Sequence, residues 1–215
     1  MGCVSSCLQL NECVAAENEG MSLSVCTDVA AADWIVGLEK RWPQLTVMGP
    51  PGFPAYARLR FLPDPAFEGQ NESAANYPED ALPEDEQLAV VLEILSRYTS
   101  APADCYFCVW EGWGISVVGN DVPTVKLPTR SYLLFHGAPT DCGDWGPDVQ
   151  FDPRGPDAAD PAFVWPADHA WCVTHDVDPH FAMIAGPAEA IELIIADSRI
   201  DAVIHDPEVN PPFYS

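Results

Sequence analysis

Residues 170–187 read AWCVTHDVDPHFAMIAGP, and the way this stretch folds decides the architecture. Ala170 to His175 is rich in β-branched and aromatic residues and is expected to be extended. Asp176-Val177-Asp178-Pro179-His180 interrupts it, because aspartates favour turns and Pro179 cannot donate to a strand ladder. Phe181 to Ala185 is a second extended run that can pair with the first. Gly186-Pro187 then opens a helix through Ala196, and Ile200 to Ile204 closes as a further strand.

Upstream, Thr27 or Asp28 can cap a helix reaching about Arg41, with Ala31, Trp34, Ile35, Leu38 and Trp42 at helical spacing. Leu45 to Met48 reads as a short strand. Tyr56 to Leu62 alternates Tyr56, Arg58 and Arg60 against Ala57, Leu59 and Phe61, which predicts a half-buried strand with a basic outer face. Pro83 followed by Glu84, Asp85 and Glu86 announces a helix whose apolar stripe is Leu88, Val91, Leu92 and Leu95. Cys105 to Trp110 and Arg130 to His136 read as strands, and residues 137–161 as one long loop. Without regular βα alternation, the pattern implies an α+β fold: a mainly antiparallel sheet of short strands with two to three packed helices. Residues 1–20 differ in character from the rest and are expected to be a flexible N-terminal extension, leaving 21–215 as a single α+β domain.

Charge narrows the class of partner. The chain has 33 Asp plus Glu against 9 Lys plus Arg, a formal net charge of −24, with a pI near 4.1. A field of that size repels nucleic acid and anionic lipid and attracts basic proteins or cations; a GC-rich genome or adaptation to high salt would produce the same acidic, lysine-poor composition. Hydrophobic residues make up 48%, so the acidity belongs to a folded domain and not to a disordered tail. No apolar run approaches the ~20 residues of a membrane span. The eight cysteines are expected to be reduced and mostly buried in a cytoplasmic protein, since a chain of this size needs no disulfide staples.

Three stretches carry candidate chemistry. Asp176, Asp178, His175 and His180 could transfer protons at a strand end, the two acids could bind a hard cation through oxygen, or the aspartates could simply build the turn. Trp110-Glu111-Gly112-Trp113-Gly114 offers two indoles and an acid, either a binding platform with Glu111 as its polar contact or a kinked strand end. Arg130 is one of few cations and is expected to pair with an acid or hold an anion. A metal centre in 169–180 is not expected: His169 and His175 would stand ~20 Å apart on an extended strand, with Cys172 on the opposite face. Cys105 and Cys108 lack the helix N-terminus of a redox pair. The sequence has no phosphate-binding loop, dinucleotide fingerprint, zinc-protease motif or serine elbow, and implies no cofactor.

The WEGWG segment at 110–114, Arg130-Ser131-Tyr132, and the block from Trp165 through Asp168 and Trp171 to Asp178 resemble a family of uncharacterised bacterial proteins. That family has a WEGWG-like segment, an RxYxLF strand and a WPxDxxW…DxD block. The likeness spans roughly residues 105–205 and implies a common fold, with no assigned activity to transfer. Together these readings lead to an acidic binding protein, immunity- or antitoxin-like, for a basic protein partner, anchored by Trp110, Trp113 and Arg130. The alternative is an enzyme of unknown reaction using Glu111, His175, Asp176, Asp178 and His180.

Overall fold

The computed structural model describes residues 22–38, 42–76, 80–119, 121–155 and 158–215; the expected N-terminal extension, residues 1–20, lies outside them. Within the described residues the elements are β1 (Ser24–Val25), α1 (Asp33–Val36), α2 (Trp42–Met48), β2 (Ala55–Arg60), α3 (Glu84–Leu95), β3 (Cys105–Trp110), β4 (Ile115–Val117), β5 (Val125–Leu127), β6 (Arg130–Gly137), β7 (Val149–Phe151), β8 (Pro161–Pro166), β9 (Cys172–Thr174), β10 (Phe181–Gly186), α4 (Ala188–Ala196) and β11 (Ala202–Ile204). Nine strands form one sheet in the order β1-β6-β3-β8-β9-β10-β2-β11, with β5 also on β6; β4 and β7 make a separate pair. Every pairing is antiparallel. The chain is therefore α+β, with four α-helices among the described residues where two or three were expected.

The meander β8-β9-β10 is the segment that decides the fold. Phe163 pairs with Thr174 and Val164 with Val173, and Val173 in turn faces Ile184. β10 then passes through α4 to β11, and both strands flank β2. All six residues of β8 and all six of β10 are buried. These strands read as continuous apolar runs because the sheet is covered on both sides. On one face α3 and α4 contribute Leu88, Val91, Leu92, Leu95, Ile191 and Ile194 to a core with Leu59, Phe107, Val164 and Ile184. On the other, α1 and α2 place Ile35, Leu45 and Met48 over Tyr132, Trp165, Phe181 and Met183.

Four expectations need correction. Leu45 to Met48 is the end of helix α2, not a strand. The first helix is a 3₁₀ turn running into α1, which ends at Val36; residues 39–41 lie outside those described. Neither Thr27 nor Asp28 is the N-cap, a position that falls to Val29 without a side-chain cap bond, although Asp28 accepts from the Ala30 N–H at 2.9 Å just ahead of the turn. Residues 137–161 are not one loop: a 3₁₀ turn at Pro139–Asp141 and strand β7 lie within them, and β7 pairs with β4 across the chain. β2 is an inner strand, so its arginines are not an outer basic face. Arg58 is 7% exposed. Its guanidinium donates to both oxygens of Asp64 at 2.5 and 2.9 Å, while Arg60 reaches Asp64 and Asp201 at 3.2 and 2.7 Å. Burial of these cations is tolerable only because each is paired.

The packing of α3 yields a direct test. Leu92 is 1% exposed; Leu92→Ala should cost about 2–5 kcal/mol in chemical denaturation. Leu193 on α4 is 47% exposed; Leu193→Ala should stay within about 0.5 kcal/mol of the parent.

Candidate functional site

The bend between β9 and β10 is held from three sides. Arg130, the first residue of β6, contacts Asp176 Oδ1 and donates through Nη2 to Asp178 Oδ2 at 3.1 Å. Its guanidinium carbon also lies 4.7 Å from the centre of the Trp110 ring, a cation–π contact. Asp176 is 5% exposed and accepts from the Val177 N–H at 2.9 Å; the Asp178 side chain is 79% exposed. The two aspartates thus divide: one is a buried anchor, the other an open rim.

His180 closes the far end. Its Nε2 lies 3.3 Å from Asp64 Oδ1, and its ring meets the edges of Phe181 and Tyr214. Burial pushes the imidazole below the ordinary histidine range, outweighing Asp64. A neutral ring therefore donates to the carboxylate. Partial burial would raise Asp64, but hydrogen bonds and charge from Arg58, with the bonds from His180 and Arg60, hold it down at about 2. His175 packs 4.7 Å from Phe61, and its Nδ1 has no hydrogen-bond partner. Burial lowers its proton affinity against the pull of Asp160.

Between these groups lies a cavity of about 150 Å³, lined by Trp110, Trp113, His175, Asp176, Asp178 and His180 together with Glu72, Glu84 and Asp160. The structure thus gathers six of the side chains picked out by the sequence and sets Arg130 beside them. It leaves Glu111 out: that residue is exposed in a 3₁₀ turn, and its carbonyl accepts from Gly114. Trp110 and Trp113 meet edge to face at 6.4 Å. Gly112 lies so close that a Cβ built there would sit 2.2 Å from the Trp110 ring.

The acids on the wall come from separate chain segments, which is why no local motif announces them. Glu72 lies in a 3₁₀ turn, Glu84 opens α3 and Asp160 precedes β8. Glu84 is exposed at the rim, yet partial desolvation by its neighbours raises its pKa, and the like charges of Asp160, Glu72 and Asp85 add to that. Sequence reasoning also missed the His136–Asp104 pair at the other end of the sheet. The antiparallel register of β3 on β6, with Tyr106 opposite His136, is the signal that brings them together.

The remaining sequence candidates have structural explanations. His169 adopts φ +54° and stacks on Trp34 at 4.4 Å. Cys172 is buried in the core layer against which Trp34, the stacking partner of His169, also packs, so it does not stand on the face opposite His169 as expected; His175 lies in the other layer, against Phe61. Among the described residues, no three His, Cys, Asp or Glu side chains are arranged to hold a metal ion. Cys105 and Cys108 belong to cores on opposite faces, and burial pushes both thiols up, Cys105 to about 12. Neither is a ready thiolate. Asp168 clamps the turn after β8, accepting from Ser100 N–H and O–H, Thr99 O–H and Ala170 N–H at 2.7–3.1 Å. Trp165 and Trp171 beside it are fully buried.

Fold and site together define an α+β protein with an acidic, indole-walled pocket at the strand ends of an antiparallel sheet. No protein-family model, curated protein or solved structure matches the chain. The resemblance over 105–205 accordingly rests on its motifs alone. No helix among the described residues is long and apolar enough to cross a membrane.

Two measurements test this geometry. Arg130→Met strands a buried carboxylate and should cost about 3–5 kcal/mol, whereas adding Asp176→Asn should restore part of that loss in a double-mutant cycle. The second concerns pH. Burial lowers His175, His180 and His205, so unfolding lets each take up a proton near its ordinary value of ~6.5. The stability their neutral rings contribute is whole above that pH and is lost as pH falls through it towards the lowered values. Asp64 acts only later, from its ordinary 3.8 down to about 2. Denaturation midpoints should therefore begin to fall just below pH 6.5, and less steeply in His175→Gln/His180→Gln.

Proposed function

We propose that this chain is a binding protein that captures a cationic group of a basic protein partner in the pocket between Trp110, Trp113, Glu72, Glu84 and Asp160. One observation carries the reading: the pocket's negative charge is not neutralised from within. Arg58, Arg60, Arg97, Arg130, Arg154 and Arg199 each already hold a carboxylate. Glu72, Glu84 and Asp160 take part in none of the ion pairs among the described residues. Indole walls beside carboxylates suit a lysine or arginine side chain, through charge and cation–π attraction. At about 150 Å³ the cavity is below the ~300–1,000 Å³ of drug-sized ligand sites, a size that fits one side chain better than a free metabolite.

The net charge of −24 would steer a basic partner onto this face at enhanced rate. Neutralising a basic toxin, as immunity and antitoxin proteins do, is the specific form this reading takes. We assign it to a reducing, cytoplasmic setting, supported by the free thiols of Cys26, Cys105, Cys108, Cys142 and Cys172. The enzyme reading draws less support: Arg130 occupies Asp176, Asp178 stands open to solvent, and Glu111 is outside the pocket.

Calorimetric titration with octalysine and with lysine methylamide, read alongside tryptophan fluorescence, tests the proposal. Octalysine should still bind at ~0.15 M salt, where the Debye length is ~8 Å. Glu72→Gln/Glu84→Gln should weaken it at least about tenfold, or ~1.4 kcal/mol. Binding that vanishes at that salt, or that ignores the double substitution, would reduce the effect to diffuse attraction and overturn the proposal.

A further inference from the structure

A second and larger cavity, about 530 Å³, opens between α3, the turn at Pro139–Asp141 and the segment 159–161. Its floor is apolar: Leu82, Leu88, Ala89 and Val90 from the α3 side face Pro139 and Ala159. Its rim is acidic, with Asp85, Glu86, Glu93 and Asp160. Among the described residues the single cation on the rim is Arg199, and Asp197 and Glu93 already hold it. Asp160 lines this groove and the pocket described above, so the two depressions adjoin across one shared carboxylate.

We infer that this groove docks an amphipathic basic segment of the partner protein, an apolar side chain seated on Ala89 and Val90 with lysines or arginines meeting the acidic rim. The inference rests on the proposed capture of a basic partner and adds the apolar anchor that a cation pocket alone lacks. Charge complementarity selects the occupant. A second copy of this chain would bring another −24 against the same acids, and an anionic lipid or fatty acid would meet repulsion at the rim. An apolar centre ringed by charge is the layout in which a buried anchor supplies affinity and the rim supplies orientation.

The test compares two probes on the full chain, octalysine and an 18-residue helical peptide of alternating Lys and Leu pairs, with binding read by calorimetry at ~0.15 M salt. The Lys/Leu peptide should bind at least about tenfold more tightly than octalysine. Ala89→Trp, which fills the groove from an exposed position on α3, should reduce the Lys/Leu peptide to octalysine's affinity and leave octalysine unchanged. Thr140→Trp plugs the same groove from the opposite wall and serves if the α3 variant melts early. Equal binding of the two peptides, or a Lys/Leu affinity indifferent to both tryptophans, overturns the groove while leaving cation capture standing. Failure of both peptides to bind overturns cation capture itself. Concentration-dependent dimers in sedimentation, or tight uptake of a neutral dansyl probe, abolished by Ala89→Trp, would assign the groove to a second copy or a small hydrophobe and overturn it equally.

Discussion

Burial of both faces of one antiparallel sheet is the constraint from which the rest of this structure follows. Once α3 and α4 cover one face and α1 and α2 the other, the inner strands have no solvent side on which to place polar groups. Ionisable residues must then sit at strand ends or be paired. Arg58 shows the second solution: mid-strand and 7% exposed, it is neutralised by Asp64 and lies over the Phe181 ring at 5.3 Å. Asp176, at a strand end, shows the first. Chemistry-bearing side chains accumulate where β9 turns into β10 because that is where the sheet lets them emerge.

The same constraint explains why the acidic surface is uneven. Within the described residues the arginines are spent on structural carboxylates: Arg130 on the bend, Arg58 and Arg60 on Asp64, Arg199 on Asp197 and Glu93. Among the carboxylates left without an ion pair, Glu72, Glu84 and Asp160 line one pocket, where α3 begins and β8 is entered. An acidic pocket of this kind needs no dedicated motif. It is what remains after the few cations have been allocated.

Much of the fold was legible in the sequence because its deciding elements are local. Phe181–Gly186, Cys105–Trp110, Arg130–Gly137 and the Glu84–Leu95 helix each carry their own pattern of apolar residues and breakers. The misreadings occur where the local signal is short or the cause is remote. Leu45-Thr46-Val47-Met48 has strand-favouring side chains, and four residues cannot separate a period of 2 from one of 3.6; tertiary packing settles it as helix. β4 and β7 are three residues each and exist only through each other. Arg58 and Arg60 alternate as a solvent face would, and only Asp64 and Asp201 bring them inside. In the site, Asp176, Asp178, His175 and His180 were visible as one cluster in the chain. Glu72, Glu84 and Asp160 were not, because three distant segments supply one carboxylate each.

Gly112 and Trp110 illustrate how such a wall constrains descent. With the ring held against Arg130 and an ideal Cβ at position 112 only 2.2 Å from it, no side chain larger than hydrogen fits while the indole remains. A lineage that replaced Trp110 with a smaller residue would free position 112 to drift, and one that first acquired alanine at 112 would have to displace the indole. The two positions are therefore expected to change as a couple, in that order, and divergent copies of this chain should show the glycine surviving wherever the tryptophan does.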